Sequence, residues 1–164
     1  DFNKDGSVDL LTVNGDNGDL ALPRKAHHGV RVYLNNGSND FAEAFFYPLD
    51  GAYNALGRDF DGDGDVDIAA IAYYPDFQAS APENFVYLRN EGGLKFVPET
   101  CPEARLGRWM TMDAGDLDGD GDDDLVLGSF VKGPTTVPVP AVLRDQWRTN
   151  GAAILMLENI RPKR

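Results

Sequence analysis

Asp59-Phe60-Asp61-Gly62-Asp63-Gly64-Asp65-Val66-Asp67 runs directly into the apolar stretch Ile68-Ala69-Ala70-Ile71. The same figure occurs twice more. Asp1-Phe2-Asn3-Lys4-Asp5-Gly6-Ser7-Val8-Asp9 precedes Leu10-Leu11-Thr12-Val13, and Asp116-Leu117-Asp118-Gly119-Asp120-Gly121-Asp122-Asp123-Asp124 precedes Leu125-Val126-Leu127. The copies begin at residues 1, 59 and 116, so the offsets are 58 and 57. Each is followed by a second apolar run ending in Asn: Val32-Tyr33-Leu34-Asn35-Asn36, Val86-Tyr87-Leu88-Arg89-Asn90 and Leu155-Met156-Leu157-Glu158-Asn159. In the first two copies a Gly follows (Gly37, Gly92), then a Phe four residues later (Phe41, Phe96).

Short runs rich in β-branched and aromatic residues, bounded by Gly, Asn and Asp, read as strands. No window of useful length shows a sustained helical period. Each unit is then a strand, an acidic loop, a strand, a variable loop, a strand, an Asn-Gly turn and a strand beginning at Phe. Four antiparallel strands repeated at this period predict the blade of a β-propeller; the competing all-β reading is a sandwich with decorated hairpins. The repeats fall at about 1–50, 51–107 and 108–164 within one segment spanning 1–164. The phase of the repeat leaves the first blade without its first strand and the third without its last. Three blades do not close a ring, so the chain is expected to be an arc of a larger propeller, of six to eight blades, whose open edges invite self-association. A start at Asp1 without Met reads as a processed or cut-out segment.

The 164 residues hold 27 Asp+Glu against 15 Lys+Arg, a net charge of −12. Fourteen of the acids lie in the three quoted stretches, leaving 13 elsewhere. The acidity is thus local. Its sign disfavours nucleic acid, whose phosphates need a basic stripe, and anionic membrane surfaces. The longest apolar run, Ile68–Tyr74, is too short to span a bilayer. Cys101 is the only cysteine, so no intrachain disulfide forms.

Within each loop, positions 1, 3, 5 and 9 carry a carboxylate or side-chain amide: Asp1, Asn3, Asp5, Asp9; Asp59, Asp61, Asp63, Asp67; Asp116, Asp118, Asp120, Asp124. Position 7 (Ser7, Asp65, Asp122) would lend its backbone carbonyl, and position 6 is always Gly. Alternating oxygen donors on a loop that turns sharply at a Gly suit Ca²⁺, whose large shell takes many oxygens, over Mg²⁺. The lack of Cys and His disfavours zinc and copper. Up to three Ca²⁺ ions are expected. An EF-hand needs a bidentate Glu at position 12 and flanking helices; position 12 is Thr12, Ala70 or Leu127, inside an apolar run. Unrelieved repulsion among so many carboxylates also argues against plain solvated turns.

These loops, each with its apolar strand, and the Asn-x-Gly…Phe segments resemble the FG-GAP/VCBS repeats, the calcium-binding blades of integrin α-subunit propellers and of many secreted bacterial proteins. The resemblance implies an extracellular, cell-surface or periplasmic adhesion or binding scaffold. Leu56-Gly57 and Asp113-Ala114-Gly115 are the nearest counterparts of the family's Phe-Gly and Gly-Ala-Pro elements. The insertion 129–151 sets the chain nearer the bacterial branch.

Blade topology puts the acidic loops and Asn-Gly turns at one end and the variable loops at the other. Variable loops on a rigid scaffold are where binding residues gather, and aromatics with Arg are the usual recognition residues. Arg24, His27, His28, Tyr73, Phe77, Arg105, Arg108 and Trp147 are the candidate contacts for a protein or glycan. Catalysis has weaker support: His27-His28 lacks a third zinc ligand, and Cys101 has no nearby His. The alternatives are one part of a secreted polysaccharide lyase or hydrolase, and a purely structural repeat.

Overall fold

The computed structural model describes residues 1–15, 25–79, 83–133 and 138–160. They form three antiparallel sheets. The first contains β1 (Leu10–Asn14), β2 (Gly29–Asn35) and β3 (Phe41–Pro48) in that order. The second contains β4 (Ala52–Arg58), β5 (Asp67–Ala72), β6 (Phe85–Asn90) and β7 (Phe96–Glu99), again in sequence order. The third contains β8 (Trp109–Gly115), β9 (Asp124–Ser129) and β10 (Ile154–Leu157). Every apolar run quoted above is a strand, and Phe41 and Phe96 open β3 and β7. Strands β5 and β9 follow the acidic loops as β1 does, so among the described residues β4 and β8 have no counterpart in the first sheet, and β3 and β7 none in the third. Among the described residues no sheet closes into a barrel.

The sheets stack face to face, and period-two alternation explains how. Every residue of β5 is buried. Its even-numbered residues Ile68, Ala70 and Ala72 join Val30, Val32, Val86 and Leu88 in a core between the first and second sheets. Its odd-numbered residues Ala69 and Ile71 join Phe85, Trp109, Leu125 and Leu127 in a core between the second and third. A strand covered on both faces reads as a continuous apolar run rather than an alternating one. The small Ala69, Ala70 and Ala72 let neighbouring sheets approach closely at this strand. Phe2 and Phe60, second residues of their acidic loops, are buried in the first and second of these cores respectively. The loops are thereby pinned to the stack by an apolar residue as well as by polar bonds.

At the outer rim of the first pair, the Phe45 and Phe96 rings meet with centroids 4.4 Å apart. Among the described residues the third sheet has no strand to supply a partner like Phe96. The corresponding place is a groove of about 490 Å³ bordered by Phe60, Phe85, Tyr87, Leu125 and Leu157.

Two features go beyond the sequence expectation. The strand expected ahead of the second acidic loop has no quoted apolar run to mark it; it is β4, which begins at Ala52. The insertion 129–151, expected as loop, contains a helix, α1 (Ala141–Asn150). It starts after Pro140 and closes with the Gly151 N–H donating to the Trp147 carbonyl at 3.1 Å. Trp147 is its buried residue, with its indole N–H on the Arg105 carbonyl at 2.9 Å and its ring against Phe77. The helix is held by this one anchor, not by an apolar stripe.

Candidate metal centre

Each acidic loop folds around its own carboxylates. In the second loop the Asp59 carboxylate accepts the Gly64 N–H (3.1 Å), Asp61 accepts the Asp63 N–H (3.1 Å) and Asp63 accepts the Asp65 N–H (2.8 Å). The third loop repeats this: Asp116 accepts the Gly119, Asp120 and Gly121 N–H groups, Asp118 that of Asp120 and Asp120 that of Asp122. In the first, Asp1 accepts the N–H groups of Asp5 and Gly6, and Asp5 that of Ser7. Such short-range side-chain-to-backbone bonds are what Asp and Asn offer in turns. Positions 4 and 6 need left-handed backbone: Gly62 and Gly119 have φ of 73° and 83°, and Gly6, Gly64 and Gly121 have 89°, 91° and 96°. Lys4 adopts φ 61° at the first of these positions.

Position 9 does something the sequence reading missed. Asp67 has no exposed surface. Its Oδ2 accepts the Phe60 N–H (3.1 Å), the Asp61 N–H (3.4 Å) and the Tyr87 hydroxyl (2.7 Å), and its Oδ1 accepts the Asn90 N–H (2.7 Å). Asn90 answers by donating its amide to the Val66 carbonyl (3.1 Å), while its Oδ1 takes the Gly92 N–H (3.1 Å). Asp9 holds Phe2 and Asn35 in the same way, and Asn35 returns its amide to Val8. Asp124 holds Leu117 and Asn159. Asn35, Asn90 and Asn159 are therefore clasps that join the end of one strand to the loop, not only turn residues. Their recurrence after each second apolar run was the available signal. Asn159 also reaches across to the second loop, its amide 2.6 Å from the Phe60 carbonyl.

Carboxylates converge on two of the three loops. Asp59, Asp61 and Asp67 form one group and Asp116, Asp118 and Asp120 another, and in each the oxygens lie within 4.8 Å of one another. Among the described residues the first loop gathers no such trio. Its third position is Asn3, whose amide donates to Asp5 at 2.8 Å, and its seventh is Ser7.

The electrostatics differ between loops. Burial pushes the Asp67 carboxyl up, against the opposing pull of the Asn90 N–H and Tyr87 hydroxyl. That remaining penalty on the charged form is of the kind a nearby cation relieves. The Asn159 and Leu117 N–H groups hold Asp124 below the usual carboxylate range. All-oxygen donors on preformed loops fit a hard divalent cation, and on donor chemistry the second and third loops can take one.

The opposite end differs from expectation. His28, Tyr73, Phe77, Arg108 and Trp147 are buried. Arg108, 1% exposed, donates to the Tyr73 and Gly133 carbonyls at 2.9 and 3.0 Å and lies 3.7 Å over the Tyr73 ring. The Tyr73 hydroxyl in turn donates to the Phe130 carbonyl. The connecting segments lock together through these groups, which removes them from any contact face. His27 and Arg105 remain exposed, and Arg24 lies outside the described residues. No helix among the described residues is long and apolar enough to cross a membrane.

No curated protein matches the chain significantly. A family model described as an FG-GAP-like repeat matches twice, over residues 1–70 and 59–127. The two matches start at the first and second acidic loops, residues 1 and 59, so they are spaced as the repeat seen in the sequence is. The chain belongs to the FG-GAP-like repeat family.

Proposed function

We propose that the chain is a Ca²⁺-stabilised arc of a larger β-propeller that works outside the cytoplasm as a binding scaffold for protein or glycan. The observation that carries this is the convergence of three carboxylates on each of two preformed loops in a chain of FG-GAP-like repeats. Asp59, Asp61 and Asp67 would hold one ion, and Asp116, Asp118 and Asp120 the other. Position 5 of the second loop (Asp63), position 9 of the third (Asp124) and the residues at position 7 (Asp65, Asp122) complete the expected shells. Asp1, Asn3, Asp5, Ser7 and Asp9 would form a third, weaker site. The bound cation supplies positive charge that relieves repulsion among the carboxylates. The chain's own residues order the loops and fasten them to the sheets.

Extracellular Ca²⁺ modules have Kd of about 10⁻⁴ to 10⁻³ M, so such sites fill at millimolar Ca²⁺ and empty in the cytosol. The ligand face is the end bearing the exposed His27, Arg105, Arg144 and Arg148. Edge-to-edge self-association of the open arc is the accompanying partner proposal, since the third sheet exposes Ile154 and Met156 on its outward face. Calorimetric titration tests the metal reading. Two Ca²⁺ should bind per chain in about that range, and Asp118→Asn should remove one. A flat isotherm at millimolar Ca²⁺ would refute it.

A further inference from the structure

The two metal-competent loops differ in how a neighbouring cation reaches them. Lys4, at the fourth position of the first loop, extends to the next sheet and places its ammonium 2.8 Å from Asp65 Oδ1 of the second loop. The contact draws on more than one carboxylate, because Asp63 and Asp59 add to the hold of Asp65 on the charged ammonium. A methyl group on Gly64, at the sharp turn of that loop, would sit 3.8 Å from the same nitrogen. The ammonium therefore lies against the loop itself. The position requires left-handed backbone, which non-Gly residues adopt only at a cost, and the other two loops have Gly62 and Gly119 there. With Gly62 at this place, the second loop sends no such side chain to the third. Arg58 also reaches the third loop, its guanidinium 3.7 Å from Asp123 at the loop's eighth position.

We propose that Lys4 is a resident counter-cation of the second loop, delivered from the first loop, which opposes a divalent cation there and lowers the affinity of that loop for it. This rests on the metal reading above. A fixed positive charge a few ångströms from a site weakens cation binding by Coulomb repulsion, and salt screens the effect. Release of the Lys4–Asp65 bridge on filling links metal binding to contact between the first and second sheets.

Terbium luminescence reads the second loop selectively, because Tyr87 donates to Asp67 at 2.7 Å and can sensitise an ion held there. Tyr87→Phe identifies that signal, and an Asp118→Asn, Asp120→Asn background weakens the third loop. In this background Lys4→Gly, which suits the left-handed backbone, should bind terbium, and Ca²⁺ in competition, about 3–10-fold more tightly at low salt. The gap should narrow as KCl is raised, and Lys4→Arg should behave as the parent. Unchanged or weaker binding by Lys4→Gly at low salt overturns the proposal while leaving the metal reading intact. Absence of Tyr87-sensitised terbium from both proteins defeats the metal reading, and this proposal with it.

Discussion

Asp67→Ala is expected to destabilise the protein by about 3–5 kcal/mol even in EDTA, where no metal contributes. The carboxylate is fully buried and accepts three backbone N–H groups and the Tyr87 hydroxyl. Truncation leaves these donors without an acceptor, and each buried unsatisfied group costs about 1–3 kcal/mol, offset in part by relaxation and water entry. For a chain of this length about 2–4 °C is lost per kcal/mol, so the melting midpoint should fall by roughly 10 °C. Asp67→Asn should fall between the parent and Ala, since Oδ1 can still accept from Asn90 while the new NH₂ faces donors. Urea denaturation of the metal-free proteins measures both changes. A loss under 1 kcal/mol for Asp67→Ala would mean that the residue serves the ion alone.

Trp109→Ala should cost about 3–5 kcal/mol, the usual range for removing a buried Trp. Trp109 has no exposed surface and sits in the core between the second and third sheets with Ile71, Phe85, Leu125 and Leu127. Its indole N–H donates to the Ala104 carbonyl at 2.7 Å, a bond lost with the ring. The large cavity this leaves would separate the third sheet from the rest. The prediction is an early loss of β8–β10 protection in hydrogen exchange, with β5 and β6 protected longer. A uniform fall in protection would contradict the picture of two separate inter-sheet cores.

The strands were legible because their signal is repeated. Ile68–Ile71 and Leu125–Leu127 are unmistakable once aligned behind the acidic loops, and Asn35, Asn90 and Asn159 mark the ends of the next runs. Strand β4 was blurred because Asp50-Gly51-Ala52 looks like an extended link, and only its pairing with β5 fixes its start. Helix α1 was illegible for a different reason. Its single buried anchor leaves only the four-residue spacing of Leu143 and Trp147, too little to register as a period.

The metal loops were half legible. Spacing of carboxylates foretells which can converge, and two trios do. It does not foretell that position 9 of the second loop is engaged by four donors, two from β6 and two from the loop itself, because the β6 partners lie up to 23 residues away. The opposite face was the least legible. Arg108 and Tyr73 have the composition of a recognition patch, but an Arg satisfied by backbone carbonyls and aromatic rings is indistinguishable in sequence from one that faces solvent. Packing of three link segments against each other decides the matter, and that is a long-range property.

The measurement that bears most directly on the metal-bound scaffold is the melting midpoint in EDTA against that in millimolar Ca²⁺, for the parent and for an Asp61→Asn, Asp118→Asn variant. Each filled site adds about 0.5–1.5 kcal/mol by mass action when Ca²⁺ is a few to tenfold above Kd. Two sites should raise the parent midpoint by about 3–10 °C, Mg²⁺ should do less, and the variant should show little response. A parent midpoint that is the same in EDTA and in Ca²⁺ would contradict the account.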